Sequence, residues 1–258
     1  MGIDESKLDQ PVRSQQDRLQ AVGRPTRDPI IDTFAQGAEH LFIPKRYKEA
    51  GDWLFAHKEQ GQPMSQYTRE SRMIKWVTKD TRTIVLYVLD AEVPDSLVQA
   101  LQIYCAAFFA TMTIKILKPG QEYDEGKALP VDFFAERKIK HRDDRTDPDR
   151  QAYTGDILDK LLTYKTPSTY AILGVTMADL YAGKNWGWVF GWANFCRGSG
   201  VFSFRRYHPD RVGRPDYSHQ DMVRLACHAM AHEICHMFAM HHCVYYECLM
   251  NGYNSLHE

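Results

Sequence analysis

The sequence lacks the features of a membrane-spanning or secreted protein. No stretch approaches the roughly 18 consecutive apolar residues that a transmembrane helix needs, and the N-terminus has no apolar core of a secretory signal. The six cysteines show none of the spacing of a disulfide-rich secreted scaffold. We therefore expect an intracellular, cytoplasmic protein with no transmembrane segment and with reduced thiols.

The sequence also lacks an excess of charge of either sign. Its 32 basic and 33 acidic residues give a formal net charge of −1, and no basic stretch is interleaved with aromatic residues. A nucleic-acid interface needs such a patch, so no nucleic-acid partner is expected. A hydrophobic content of 44% and a charged content of 25% are typical of a globular domain.

The first six residues, Met-Gly-Ile-Asp-Glu-Ser, fit the loose pattern for N-myristoylation of Gly2. The alternative is an unmodified, mobile start of the chain. A single acyl chain anchors a protein only weakly, so even the modified chain would associate with membranes weakly.

The distribution of apolar residues divides the chain into three segments. Residues 1–35 are polar and rich in Arg, Asp and Gln, which predicts a flexible arm. Residues 36–82 carry scattered apolar residues, and Pro44 and Pro63 interrupt any long helix, which predicts a loop-rich extension. Residues 83–258 hold the regular patterns and are predicted to form the main domain.

Strand and helix patterns alternate in the main domain. The apolar run 83–89 predicts a strand buried on both faces, Asp95 begins a helix, and 111–117 predicts a second strand, so the three should form a βαβ unit. That helix should bury one broad face, made of Leu97, Val98, Leu101, Ile103, Tyr104, Ala107 and Phe108. The charged residues 119–153 predict a solvated insertion. Further predicted elements are a helix over 156–164 and strands over 170–175 and 201–204.

The motif H-E-x-x-H near the end of the chain predicts a metal site. If residues 216–238 are helical, His232 and His236 share one helix face with Cβ atoms about 6 Å apart, and both imidazoles can bind one zinc ion. Glu233, one residue along, would sit beside the metal as a general base. His242, beyond the helix end, would be the third ligand, leaving the fourth position for water.

Alternatives to this assignment exist at several positions. His241 competes with His242 as the third ligand, although the spacing favours His242. His228 could extend the row of imidazoles but is more simply a surface residue. Cys235 is best explained as a packed thiol rather than a fourth ligand. The alternative for the whole motif is a helix end whose histidines cap carbonyls or face solvent.

The extended motif H-E-x-x-H-x-x-A-x-x-H-C is similar to the long zinc signature of the metzincins. With Cys243, Cys248 and Met250 it resembles the archaemetzincin (archaelysin) family of metallopeptidases over about residues 83–258. Further stretches that look like this family are 154–158, 173–181, 188–191 and 200–207. The resemblance implies an α/β fold with a mixed sheet, an antiparallel edge strand, backing helices and an active-site helix that carries the motif.

The resemblance also implies residue roles and chemistry. A catalytic Zn²⁺ on the three histidines would activate water for hydrolysis of a peptide or small-protein substrate, with Glu233 as the base. Met250 would form an apolar floor beneath the imidazoles. Trp188, Val189, Phe190 and Gly191 would lie on the edge strand and hold an extended peptide. The alternative for these four residues is an aromatic core strand that only packs. Neither the substrate sequence nor the oligomeric state is set by these residues.

Two departures from the family pattern raise a rival interpretation. Ala239 replaces the Gly of the family at a turn where a positive φ is expected, which would cost roughly 1 kcal/mol. The family adds a C-x-x-C after its Met to complete a second, structural zinc site. No such pair follows here, so Cys243 and Cys248 are expected to be half of a site and the domain to be truncated. The rival is a catalytically impaired zinc-binding or protein-interaction member of the family.

Overall fold

A computed structural model describes residues 7–22, 38–49, 52–74, 77–124, 127–143, 150–195 and 197–256. Gly2, much of the predicted arm, and the charged residues 144–149 lie outside the described residues. Among the described residues, no helix combines the length and the apolar character that a membrane crossing requires.

The described elements are numbered here in chain order. The α-helices are α1 (Gln15–Val22), α2 (Trp53–Ala56), α3 (Met64–Glu70), α4 (Asp95–Phe108), α5 (Phe133–Glu136), α6 (Thr154–Leu161), α7 (Pro209–Val212) and α8 (His219–Met237). The strands are β1 (Thr83–Val88), β2 (Thr113–Leu117), β3 (Glu122–Asp124), β4 (Lys127–Ala128), β5 (His141–Asp143), β6 (Arg150–Tyr153), β7 (Thr169–Thr176), β8 (Asp179–Tyr181), β9 (Gly191–Asn194) and β10 (Ser199–Ser203). Short 3₁₀ turns cover Ala38–Leu41, Ser71–Met73, Leu162–Tyr164 and Arg205–Tyr207.

The chain forms two compact units. The N-terminal unit comprises Met1–Met73 together with Ala239–Glu258, and the sheet unit comprises Ile74–Phe238. This division differs from the three predicted segments, because the residues after the long helix α8 group with the N-terminal extension.

The sheet unit is built on a five-stranded sheet with the strand order β2-β1-β7-β10-β9. Strand β1 pairs in parallel with β2 and β7, and β10 pairs in parallel with β7, whereas the terminal strand β9 runs antiparallel to β10. The predicted mixed sheet of an α/β fold, with an antiparallel strand at its edge, is confirmed.

The central strands are buried because both of their faces are covered. Every residue of β7 is buried, and so is every residue of β1 after Thr83. Such near-continuous apolar runs are typical of parallel strands. The predicted βαβ unit is present as β1, α4 and β2, with Thr83 opposite Thr113.

The predicted inner face of α4 was partly wrong. Leu97, Val98 and Leu101 are buried, but Ile103 is 64% exposed and Phe108 is 48% exposed. Cys105, which the prediction omitted, is buried instead. The 3.6-residue period explains Ile103, since positions 97, 98, 101 and 105 share one face and position 103 lies on the other side. Phe108 lies on the buried face but is the last residue of the helix.

The prediction of a solvated insertion over residues 119–153 was also wrong in part. The described part of this stretch contains the β3–β4 pair, α5 and the strands β5 and β6, which join β8 in a three-stranded sheet. Leu129, Phe133, Ile139 and Ala152 are buried in the same core cluster as β1 and β7 residues. The prediction was based on the many charged residues of this stretch, whereas its few apolar residues pack into the core.

The long helix α8 presents the H-E-x-x-H motif and matches the predicted span closely. Its start has a capping box, in which the Ser218 hydroxyl accepts from the Asp221 N–H at 3.2 Å and the Asp221 carboxylate accepts from the Ser218 N–H at 2.9 Å. Helix α8 packs against α4 and against strands β7, β9 and β10. The motif therefore lies on a helix that is held by the sheet on one side and by another helix.

The N-terminal unit has its own small core. Ala21, Val244 and Tyr245 are buried together, and the Lys45 N–H donates to the Tyr245 carbonyl at 3.0 Å. Ala21 belongs to α1, so part of the segment predicted to be a flexible arm is a packed helix.

Loss of the Ser218 cap should destabilise the sheet unit. We expect Ser218→Ala to lower the free energy of unfolding by about 1 kcal/mol, because the Asp221 N–H loses its acceptor. Urea denaturation of both proteins measures the change. Ser218→Gly is the control and should cost only a few tenths of a kcal/mol. Equal losses in the two variants would contradict a role for the hydroxyl cap.

Candidate metal centre

The two histidines of the motif face each other at the C-terminal end of α8. His232 and His236 are 4% and 7% exposed, and their ring centroids lie 4.5 Å apart with the ring planes nearly perpendicular. The i,i+4 spacing on a helix places both rings on one face, as the sequence predicted. The Phe195 ring lies 4.9 Å from that of His236, a contact that the sequence analysis missed.

Glu233 is buried beside these histidines. Burial raises the pKa of its carboxyl group to about 8, and its Oε2 atom has no hydrogen-bond partner among the described residues. Buried polar atoms normally have partners. A bound divalent cation would lower this pKa and favour the carboxylate form.

Gly191, at the start of the edge strand β9, passes very close to Glu233. A Cβ atom placed on Gly191 would lie 2.8 Å from Cδ of Glu233, which is closer than real carbon atoms approach. The absence of a side chain at this position therefore makes room for the Glu233 carboxyl group.

The predicted edge strand lies further along the chain than the sequence indicated. Trp188, Val189 and Phe190 precede the strand, which begins at Gly191. Val189 and Phe190 are each 7% exposed, and Trp188 lies under the Arg206 guanidinium at 4.6 Å from its ring centroid. The aromatic run predicted a strand at these positions. Instead, Trp188, Val189 and Phe190 form the segment that leads into the strand.

The chain leaves α8 through a left-handed turn at Ala239. Its φ is +65°, which is the conformation that the family pattern predicted for this position. Gln62 bonds to both ends of the turn: its Nε2 donates to the Ala239 carbonyl at 2.8 Å, and its Oε1 accepts from the His241 N–H at 3.1 Å. The strain of the non-glycine residue is therefore accompanied by two specific hydrogen bonds.

The turn leads to two adjacent histidines with different partners. Nδ1 of His242 lies 2.8 Å from Oε1 of Glu59, and Nε2 of His241 lies 3.2 Å from Oε2 of Glu70. His228, the other alternative ligand, is exposed and lies beside Tyr104.

Potential ligand atoms of His232, His236 and His242 lie within 4.8 Å of one another, so the three side chains could hold a metal ion. Imidazole nitrogens are suitable ligands for zinc. With bonds of about 2.0–2.1 Å, two nitrogens of a tetrahedral zinc site lie about 3.4 Å apart, a separation that falls within this 4.8 Å limit. The unpartnered Glu233 oxygen fits the same arrangement.

The cysteines of the region fall into two kinds. Burial raises the pKa of the Cys235 thiol to about 11, as expected for a packed thiol. Cys243 and Cys248 are hydrogen-bonded to each other, which lowers the pKa of Cys243 to about 6 and raises that of Cys248. Met250 is 8% exposed, and its carbonyl accepts from the Cys243 N–H at 2.7 Å. Among the described residues, these cysteines belong to no group of three potential metal ligands.

The mixed sheet, the helix that carries H-E-x-x-H and the histidine cluster define a metzincin-type protein. The chain is 28% identical to Archaemetzincin-2 of Macaca fascicularis and of Homo sapiens, in each case over 89% of this chain and 68% of the relative. It is 24% identical to human Archaemetzincin-1 over 95% of this chain and 55% of that protein. The chain is therefore similar to the archaemetzincins, as the sequence motifs implied.

The crystal structure of archaemetzincin from Methanopyrus kandleri matches with a TM-score of 0.49 and 21% identity, over 70% of this chain and 87% of that chain. No protein-family model matches the chain.

Glycine at the turn after α8 should stabilise the protein. We expect Ala239→Gly to raise the free energy of unfolding by roughly 1 kcal/mol, since glycine adopts φ +65° without a Cβ clash. Urea denaturation measures the difference. Ala100→Gly, within α4, is the control and should lower the stability by about 1 kcal/mol. Destabilisation by Ala239→Gly would show that the turn is not strained.

Proposed function

We propose that this chain is a zinc-dependent metallopeptidase that hydrolyses peptide bonds. The observation that supports the proposal most directly is the cluster of His232, His236 and His242 with the buried Glu233 beside it. Zinc on these histidines would supply an activated water molecule and a Lewis acid for the substrate carbonyl. With two hydrogen-bonded cysteines and no third ligand near them among the described residues, we propose one zinc ion per chain.

Glu233 acts as the general base and acid in this proposal. Its carboxyl group lies one residue from a metal ligand, so it can accept the proton of the attacking water and deliver it to the leaving amine. Burial raises its pKa, and a bound cation would lower it, so the two effects on this carboxyl group oppose each other. Exclusion of bulk water from this carboxyl strengthens its interaction with charge that develops in the transition state.

The edge strand β9 is proposed to hold the substrate as an added strand. It is the last strand of the sheet and begins at Gly191, against the Glu233 carboxyl group. An edge strand offers backbone N–H and C=O groups to an extended peptide. Trp192 and Phe195 are each 37% exposed and give this edge an apolar, aromatic surface. A peptide or small protein in an extended conformation is therefore the expected substrate.

Replacement of the general base should separate catalysis from metal binding. We expect Glu233→Gln to lower peptide hydrolysis by at least about 100-fold while one zinc ion per chain is retained. Elemental analysis and a peptide-library cleavage assay measure the two properties. His232→Ala is the control and should lose zinc as well as activity. A parent protein that binds zinc but cleaves no peptide would support the catalytically impaired, protein-interaction alternative instead.

A side chain at Gly191 should disturb Glu233 without unfolding the sheet. We expect Gly191→Ala to lower kcat by about 100-fold with unchanged zinc content, because the new Cβ displaces the Glu233 carboxyl group from its working position. Gly187→Ala is the matched control, since a Cβ there meets no atom within 4 Å. Equal activity of both variants would exclude this constraint.

A further inference from the structure

A part of the N-terminal extension contacts the turn that carries the third histidine. Glu59 meets His242, Gln62 meets Ala239 and His241, and Glu70 meets His241. The partners in the Gln62 and Glu59 hydrogen bonds are 177 to 183 residues apart in the sequence, and all of them belong to the N-terminal unit. The extension, whose sequence carries no functional motif, therefore reaches the loop that carries His242.

The Glu59 contact determines which nitrogen of His242 can bind a metal. Nδ1 of His242 lies 2.8 Å from Oε1 of Glu59, and the Trp53 indole N–H donates to the same oxygen. Because this oxygen accepts from the indole N–H, it acts as an acceptor, so Nδ1 of His242 is the donor and carries the proton. Nε2 of His242 is then the nitrogen with the lone pair that a metal needs.

The same contact restricts the orientation of the His242 ring. Oε1 of Glu59 also accepts from the Trp53 indole N–H at 2.9 Å, so one oxygen holds both rings. The Trp53 and His242 rings meet at 89° with centroids 5.2 Å apart. The Trp53 indole also packs closely against Gly252, where a Cβ would lie 2.5 Å from the indole ring. His242 is therefore oriented by a carboxylate along one direction and by an aromatic edge along another.

Carboxylates that accept from the second nitrogen of a metal-bound histidine raise the basicity of the ligand and fix its tautomer. We propose that Glu59 is a positioning residue for His242, the third metal ligand, and that the extension around it serves to orient this histidine. This inference rests on the proposed zinc site. It assigns a function to residues that the sequence analysis treated as a loop-rich layer.

Zinc titration of matched variants tests the role of Glu59. We expect Glu59→Gln to weaken zinc binding by about 10- to 100-fold, measured by competition with a chromogenic chelator. Glu70→Gln is the matched control, because it removes the same kind of contact from the neighbouring His241, and it should leave the zinc affinity unchanged. Thermal unfolding of the metal-free proteins should give similar midpoints for the parent and both variants.

A second measurement reads the tautomer directly in the metal-free protein. ¹⁵N NMR of the histidine side chains should show Nδ1-protonated His242 in the parent and a mixture of tautomers in Glu59→Gln. Glu59→Asp, which keeps the charge but shortens the reach, should lie between the two in both measurements.

The outcomes distinguish this inference from the proposed function. Equal zinc affinity of Glu59→Gln and Glu70→Gln, with much weaker binding in His242→Ala, would overturn the role of Glu59 and leave the three-histidine site in place. Unchanged zinc affinity in His242→Ala would overturn the ligand set itself. In the supported case, the double variant Glu59→Gln with His242→Ala binds zinc no more weakly than His242→Ala alone.

Discussion

The position of His242 depends on one constraint, which is the change of chain direction at the end of α8. A straight helix would carry residue 242 away from His232 and His236, so the backbone must leave the helix within a few residues of His236. The left-handed conformation of Ala239 achieves this change, and it does so with a residue whose Cβ disfavours that conformation. The hydrogen bonds of Gln62 to Ala239 and His241 help the turn keep a single geometry.

The candidate site also contains a buried ionisable side chain, the carboxyl group of Glu233. Glu233 lies in an environment that favours its neutral form, with one oxygen atom lacking a partner among the described residues. Such an arrangement is costly in a protein without a ligand and becomes favourable when a cation neutralises the carboxylate. Gly191 adds a steric condition, since the edge strand approaches the carboxyl group more closely than any residue with a side chain would permit. The strand that is proposed to hold substrate therefore also packs against the proposed catalytic carboxylate of Glu233.

The N-terminal extension contributes polar contacts to the loop that carries His242. Viewed by sequence, residues 36–82 are a loop-rich layer with scattered apolar residues. In the structure, the carboxylate of Glu59 and the amide of Gln62 reach the loop that carries His242. Outer groups that orient metal ligands contribute substantially to affinity in zinc sites generally. The pairing of Ala239–Glu258 with the N-terminal residues as one compact unit agrees with this view.

The sequence alone determined those features that depend on local geometry. Helical spacing places His232, Glu233 and His236 at one end of α8, and apolar runs identify the buried strands. Both follow from the properties of a few neighbouring residues, whereas the positive φ at Ala239 was implied by the family resemblance. The tertiary structure decided the rest, because it depends on contacts between distant residues. The partner of His242, the start of the edge strand at Gly191 and the packing of Leu129, Phe133 and Ile139 into the core all require three-dimensional contacts that no local period encodes.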